Sequence, residues 1–306
     1  MASKMPTALT SENAKQFLDS FDTVFTDADG VLWNSNDPIT NSIEVLSALM
    51  KVGKKVFLIT NNSTKSREEL LIKSQKMGLI NFTVDNILCT AHAAATFLKE
   101  KNFNKTVYVV GQSGISKELD NVGIKHFGVG PDMLDTSSVF ERELNIQSDV
   151  GAVIVGFDSN LSYNKICKAC TYLNDPNCLF IATNTDAVFP QPNKNLVFAG
   201  SGCMVSAIAT PAQREPSIMG KPSTYLYEST AKLYPTMSPE RTLMIGDRAD
   251  TDILFGAACG MKTLVVLSGI TTEQDINKWA NSTNPSDKKL IADYVLPKLG
   301  DLLPYI

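Results

Sequence analysis

The sequence predicts an α/β protein, a Rossmann-like core built on a parallel sheet and interrupted by an inserted α/β domain. Three observations carry that prediction. Short apolar, strand-like runs alternate with helical patterns along the chain, the signature of a parallel sheet with helices on both faces. Polar residues suited to chemistry recur at the ends of the strand-like runs, where open α/β sheets place their ligands. Between Thr60 and Lys221 lie 160 residues, more than the intervening core elements need.

Thr23–Asp27 is the first strand, an apolar stretch running into Asp27-Ala28-Asp29-Gly30. Carboxylates two residues apart point to the same side of an extended strand. Gly30 lets the backbone turn, so both acids end at the strand tip. Asn41–Lys51 reads as an amphipathic helix and Lys55–Thr60 as the next strand. Lys65–Met77 is a second helix, with Gly78 placed as a C-cap. Ile87–Cys89 is a short strand and Ala91–Lys101 a third helix.

The middle also alternates but reads as a separate unit. Val107–Val110, Ala152–Val155 and Leu179–Ala182 are strand-like, Lys165–Leu173 is helical, Gln191–Asn195 is a turn and Cys203–Ala212 a helix. The Pro-rich, polar junction Thr210–Pro216 leads back to the flanking pattern. Ser223–Leu233 is then a helix, Thr242–Ile245 a strand, Asp250–Cys259 a helix stopped by Gly260, and Thr263–Leu267 a strand. From Asp293 a short strand and a closing helix follow. The expected domains are a discontinuous core, 1–103 with 216–306, and an inserted domain over 104–215.

A chain of 306 residues is long enough for two domains and a substantial core. Its net charge of −4 supplies no broad basic field, so nucleic acid and anionic lipid are not expected partners. An anionic ligand would need positive charge placed locally, by a metal or a few lysines. The stretch Met1–Thr10 is polar and lacks the apolar region of a secretory signal. No apolar run approaches the roughly 18 residues of a membrane span. Six cysteines scattered through apolar segments fit free thiols in a reducing compartment, so a cytoplasmic location is expected. Cys167 and Cys170 form a CxxC inside a helical pattern with no second pair to complete a zinc site, and read as structural.

Two carboxylates as close as Asp27 and Asp29 repel unless a cation sits between them or one takes a proton. Such a pair suits metal binding, a split between nucleophile and acid, or both; alone it could be a turn with an Asx bond. Thr60-Asn61-Asn62-Ser63 offers a hydroxyl and backbone N–H groups at a helix start, a place for an anion or merely a cap. Lys221, in Gly220-Lys221-Pro222, brings one positive charge before a helix or stands solvated. Asp247, Asp250 and Asp252 follow a strand, as site acids or as charges favoured by a helix dipole. Four bland coincidences in one chain order are less plausible than one site.

That order, DxDG, then Ser/Thr after the second strand, then Lys, then GDxxxxD, resembles the haloacid dehalogenase superfamily of aspartate-nucleophile phosphatases. Val155-Gly-Phe-Asp158, Tyr163, Thr183-Asn-Thr-Asp186 and Ala199-Gly-Ser-Gly202 are similar to the C2-type cap of the 4-nitrophenylphosphatase and phosphoglycolate phosphatase-like family. The resemblance implies an Mg²⁺-dependent phosphomonoesterase that forms an aspartyl-phosphate. Asp27 is then the nucleophile, and its unperturbed pKa of about 4 leaves it ionised at neutral pH, so it needs no base. Mg²⁺ is held by Asp27, the backbone carbonyl of Asp29, and Asp247. Asp29 acts as general acid and then base. Lys221, Thr60 and Asn61 neutralise and orient the phosphoryl oxygens, and Asn62 and Ser63 reach the substrate beside them. Asp252 orients Lys221 or the metal's waters from behind.

The same resemblance makes the inserted domain a cap that chooses the leaving group and excludes water. Family members acting on pyridoxal phosphate carry a histidine near the position of Phe189, whereas those acting on phosphoglycolate carry an apolar residue. Phe189 thus points to a small phosphorylated metabolite such as 2-phosphoglycolate, although it could simply pack within the cap. Alternatives are the same chemistry on pyridoxal phosphate, aryl or isoprenyl phosphates or a phosphoprotein, and a non-enzymatic binding protein. The intact set Asp27, Asp29, Lys221 and Asp247 speaks against the last. Homodimerisation through the cap is also implied. His92 and His126, the chain's two histidines, read as structural. A cysteine phosphatase is disfavoured by the lack of a Cys-x5-Arg loop, and a dinucleotide enzyme by the lack of GxGxxG after the first strand.

Overall fold

Thr23–Thr26 and Lys55–Thr60 are buried along almost their whole length, as expected of strands covered on both faces, and they pair in parallel within a seven-stranded sheet. The structure, a computed structural model, describes residues 5–133, 144–189 and 195–306. The chain forms two units, Met1–Thr60 with Leu70–Leu88 and Lys221–Ile306, and Asn61–Glu69 with Cys89–Gly220. Segments 61–69, 89–103 and 216–220 thus lie in the second unit.

The first unit's sheet runs in the order Thr7–Ala8, Tyr294–Leu296, Lys262–Val266, Thr242–Gly246, Thr23–Thr26, Lys55–Thr60, Ile87–Cys89. Lys55–Thr60 and Ile87–Cys89 extend to one side of Thr23–Thr26, and the strands after residue 220, with Thr7–Ala8 at their outer edge, extend to the other. The order reverses between Thr23–Thr26 and Thr242–Gly246, the switch point where such sheets open a ligand crevice at the strands' carboxyl ends. Thr26 lies opposite Ile245, and the Asp27 N–H donates to the Ile245 carbonyl at 2.8 Å. Register alone therefore delivers Asp27 and Asp247 side by side. Beneath them Phe25 meets Phe57 edge-on at 5.5 Å and stacks with Phe255 at 6.4 Å. Helix Ser42–Lys51 buries Ile43, Val45, Leu46 and Leu49, the spacing of one helical face.

Two departures from the sequence expectation matter. Asp250–Cys259 is not one α-helix: Ala249–Ile253 is a π-helical turn, and the α-helix spans only Leu254–Cys259 before Gly260 at φ +79°. The closing helix is a 3-10 segment, Leu299–Tyr305. Helices Ala14–Asp19, Ser113–Asn121 and Glu273–Asn281 were not anticipated. The last carries a readable signal, a capping box between Thr272 and Asp275. The Gln191–Asn195 turn lies, Asn195 aside, outside the described residues.

The second unit has its own parallel sheet, ordered Ser217–Ile218, Leu179–Ala182, Val150–Val155, Thr106–Val110, His126–Phe127. Helices Tyr163–Leu173 and Ser201–Ala212 cover a core that includes Tyr108, Val153, Tyr172, Phe180 and Ile208. Inside it Lys165 and Asp158 form a fully buried ion pair at 2.6 Å. Removing one partner of such a pair strands the other charge away from water. Asp158→Ala is therefore expected to cost about 3–5 kcal/mol of stability, read by urea unfolding.

Candidate active site

Four groups converge at the switch point of the first unit. Asp27 and Asp247 arrive on adjacent strand ends, Asp252 on the π-helical turn, and Lys221 from the segment before helix Tyr225–Leu233. Carboxylate oxygens of Asp27, Asp247 and Asp252 all lie within 4.8 Å of one another. The Lys221 ammonium bridges two of them, 2.6 Å from Asp27 Oδ1 and 2.7 Å from Asp252 Oδ1, and donates to the Ile59 carbonyl at 3.3 Å. The Lys221–Pro222 peptide is cis.

Backbone crowding fixes the acids. The Ile270 N–H donates to Asp247 Oδ2 at 2.9 Å, the Thr271 N–H to the Asp247 carbonyl at 2.8 Å, and the Arg248 N–H to Asp252 Oδ2 at 3.1 Å. Two glycines make room: a Cβ at Gly269 would stand 1.9 Å from Asp247 Oδ2, and one at Gly246 would stand 2.1 Å from Asp252 Cβ.

Three carboxylates, Asp247 and Asp252 buried and Asp27 partly so, face one lysine and leave negative charge uncompensated. Burial pushes Asp27 up from the ordinary carboxylate range despite the opposing pull of Lys221. Burial first, then Asp27 and Asp252, raise Asp247 well above its usual value, and burial takes Asp252 to about 6. Asp27 is thus not in the unperturbed setting its sequence suggested. Burial alone would depress the Lys221 ammonium, but Asp252 and Asp27 outweigh it and hold the lysine protonated. The donor set fits a hard cation: oxygens only, closely spaced and short of positive charge.

The Asp29 side chain is not among the three clustered carboxylates. Its Oδ1 accepts from the Trp33 indole at 3.1 Å and lies 3.9 Å from the Lys73 ammonium. Sequence reasoning missed Trp33 and Lys73; the first stands four residues beyond Asp29, the second had no signal. Thr60 is buried at the end of its strand.

Asn61, Asn62 and Ser63 belong to the second unit, as do Asp186, Asn184, Thr90, Thr64 and Thr183, which hold them. Asn61 Nδ2 donates to both Asp186 oxygens at 3.1 and 3.2 Å, while its carbonyl accepts from Asn184 Nδ2 at 2.7 Å and Thr90 Oγ1 at 2.9 Å. Asn62 Oδ1 accepts from the Thr64 N–H at 2.8 Å, a local Asx cap. Ser63 Oγ accepts from Thr183 Oγ1 at 3.1 Å. Phe189 lies on the two-residue strand Val188–Phe189 and meets Phe157 edge-on at 4.9 Å. His92 pairs with buried Glu118 at 3.1 Å and His126 with Asp120 at 2.9 Å. The six cysteines are free thiols. No helix among the described residues is long and apolar enough to cross a membrane.

Comparison with known proteins gives one consistent family. The model of haloacid dehalogenase-like hydrolases matches residues 24–125, and a second, HAD-hydrolase-like, matches 218–302. The chain is 37% identical over 304 residues to the glycerol-3-phosphate phosphatase of Homo sapiens, covering 97% of this chain and 94% of that protein. It is 38% identical over 307 residues to phosphoglycolate phosphatase 2 of Arabidopsis thaliana, covering 97% of each. Among solved structures, a p-nitrophenyl phosphatase from Archaeoglobus fulgidus matches with a TM-score of 0.79 at 26% identity, over 94% of this chain and all of that one.

Proposed function

We propose that this chain, which belongs to the haloacid dehalogenase-like hydrolases, is a phosphomonoester hydrolase whose Asp27 takes the phosphoryl group. The observation that carries this reading is the Lys221 ammonium shared by Asp27 and Asp252, with Asp247 completing the acidic cluster. A carboxylate needs no base to attack phosphorus, but an anion must approach an anion, so the work is positioning and charge neutralisation. Lys221 holds Asp27 Oδ1, which orients the carboxylate and leaves Oδ2 to attack. Asp252 fixes Lys221 from the far side. Asp29 protonates the departing alkoxide, and its carboxylate then takes a proton from the water that cleaves the aspartyl-phosphate.

Asp27, Asp247 and the Asp29 carbonyl would hold Mg²⁺, with Asp252 close behind. Bound there, Mg²⁺ would offset the charge of nucleophile and phosphate together. Thr60 and the Asn61–Ser63 segment complete the phosphate-binding set in this reading, and Phe189 contributes to the choice of leaving group.

For the substrate we propose a small alkyl phosphate, such as 2-phosphoglycolate or glycerol 3-phosphate. The support is 37–38% identity across almost the whole chain to phosphatases named for these two compounds. Homodimerisation and a cytoplasmic location remain part of the proposal, supported respectively by the exposed Val197 and Phe198 side chains and by the free thiols. The test is kcat/KM with Mg²⁺ across 2-phosphoglycolate, glycerol 3-phosphate, pyridoxal phosphate, an isoprenyl phosphate and a phosphopeptide. One of the first two is expected to lead by about tenfold or more, about 1.4 kcal/mol of differential transition-state binding. A lead for pyridoxal phosphate or the phosphopeptide would overturn the substrate assignment.

A further inference from the structure

The turn after Asp27 folds back on itself. The Leu32 N–H donates to the Ala28 carbonyl at 2.8 Å, the Gly30 N–H to the Trp33 carbonyl at 2.9 Å, and Ser268 Oγ to the Gly30 carbonyl at 2.7 Å. Gly30 takes φ +85° within it. The result returns Trp33 to Asp29, where a bridge pairs the two residues and the indole N–H meets Asp29 Oδ1 at 3.1 Å. Trp33 is only 1% exposed. The Lys73 ammonium lies 4.6 Å from the centre of its ring and 3.9 Å from the same Asp29 oxygen.

An aspartate side chain has two equivalent oxygens and a carboxyl group that turns readily about its last bond. Proton transfer to a leaving group needs one of them at hydrogen-bond distance and correctly aimed. The indole donor on Oδ1, with the Lys73 charge beside that same oxygen, breaks the equivalence. We propose that Trp33 is a positioning residue for the general acid, its indole N–H fixing Oδ1, beside the Lys73 charge, so that Oδ2 carries the proton. As the P–O bond to the leaving group breaks and the Asp27–phosphorus bond forms, that proton passes from Asp29 Oδ2 to the departing oxygen. This inference rests on the general-acid role given to Asp29 above. The competing view is that Asp29 merely satisfies a buried indole N–H, which any buried tryptophan requires.

The leaving group separates these views. An alkoxide needs protonation as it departs, whereas 4-nitrophenolate departs largely unaided. The value of kcat/KM reports steps up to leaving-group departure and is blind to later hydrolysis of the aspartyl-phosphate. With Trp33→Phe the ratio of kcat/KM for glycerol 3-phosphate to that for 4-nitrophenyl phosphate is expected to fall about tenfold or more, part of the 10²–10⁴-fold that a general acid supplies. Because Trp33→Phe could leave a cavity, the same ratio is measured with 3-benzothienylalanine at position 33, which keeps the ring shape and lacks the N–H. It is expected to fall likewise. Asp29→Asn is the control for the underlying reading and should lower the ratio further. If Asp29→Asn lowers the ratio but neither change at position 33 does, the positioning role is overturned. If Asp29→Asn depresses both substrates equally, the general-acid reading itself fails.

Discussion

Asp27→Asn is expected to remove turnover, lowering kcat on the order of 10⁴-fold or more, without lowering the melting temperature of the cation-free protein. The carboxamide cannot accept a phosphoryl group, so no later step can begin. Its effect on stability runs the other way. Asp27 is one of three carboxylates within 4.8 Å, and burial already pushes its pKa upward, a sign that its charge is held against the preference of the fold. Removing that charge relieves Asp247 and Asp252, and Lys221 keeps Asp252 at 2.7 Å. Hydrolysis of 4-nitrophenyl phosphate beside calorimetry tests both halves. A variant that keeps a tenth of wild-type turnover, or that unfolds early, would contradict them.

The second large effect concerns the cation. Asp247→Asn is expected to lower kcat on the order of 10³-fold, several kcal/mol of lost charge stabilisation in the transition state. It should also abolish the rise in melting temperature that Mg²⁺ is expected to give the wild type. The pH dependence follows from the raised carboxylates. Asp252 titrates at about 6 in the folded protein and near 4 once unfolded, so between those values the folded state binds more protons. The contribution of this cluster to stability without cation is therefore greatest at low pH and declines as pH rises through 4 to 6. Asp247, also raised, extends the decline. A cation requires the ionised carboxylates, so the Mg²⁺-induced rise should be larger at pH 7 than at pH 5. An equal rise at both would mean that these acids do not bind the ion.

Most of the fold was legible because strands and helices of this kind announce themselves by apolar runs and periodicity. Lys55–Thr60, Ile87–Cys89 and Leu179–Ala182 have the bounds their residues suggest. The π-helical turn at Ala249–Ile253 was not legible, since its residues fit an α-helix equally well and tertiary crowding, with Asp252 against Gly246, accompanies the difference. Asp27 was the most readable member of the site, at a strand end with a glycine to turn the chain. Lys221 had no local signal and stood out only through its order relative to the acids. Its two carboxylate partners lie 194 and 31 residues away, distances no pattern in one sequence encodes. The same holds for Asn61, whose partners Thr90, Asn184 and Asp186 all come from distant segments. Trp33 was visible as an apolar residue, but its donation to Asp29 depends on a fold-back of the turn that no local pattern encodes.

The most direct test traps the phosphoryl group. The wild-type protein is mixed with substrate and Mg²⁺, quenched in acid within milliseconds, reduced with borohydride and mapped by mass spectrometry. An aspartyl-phosphate is reduced to homoserine, so homoserine is expected at position 27 alone, and only when substrate was present. Homoserine at another aspartate, or none at position 27 during demonstrable turnover, would contradict Asp27 as the acceptor.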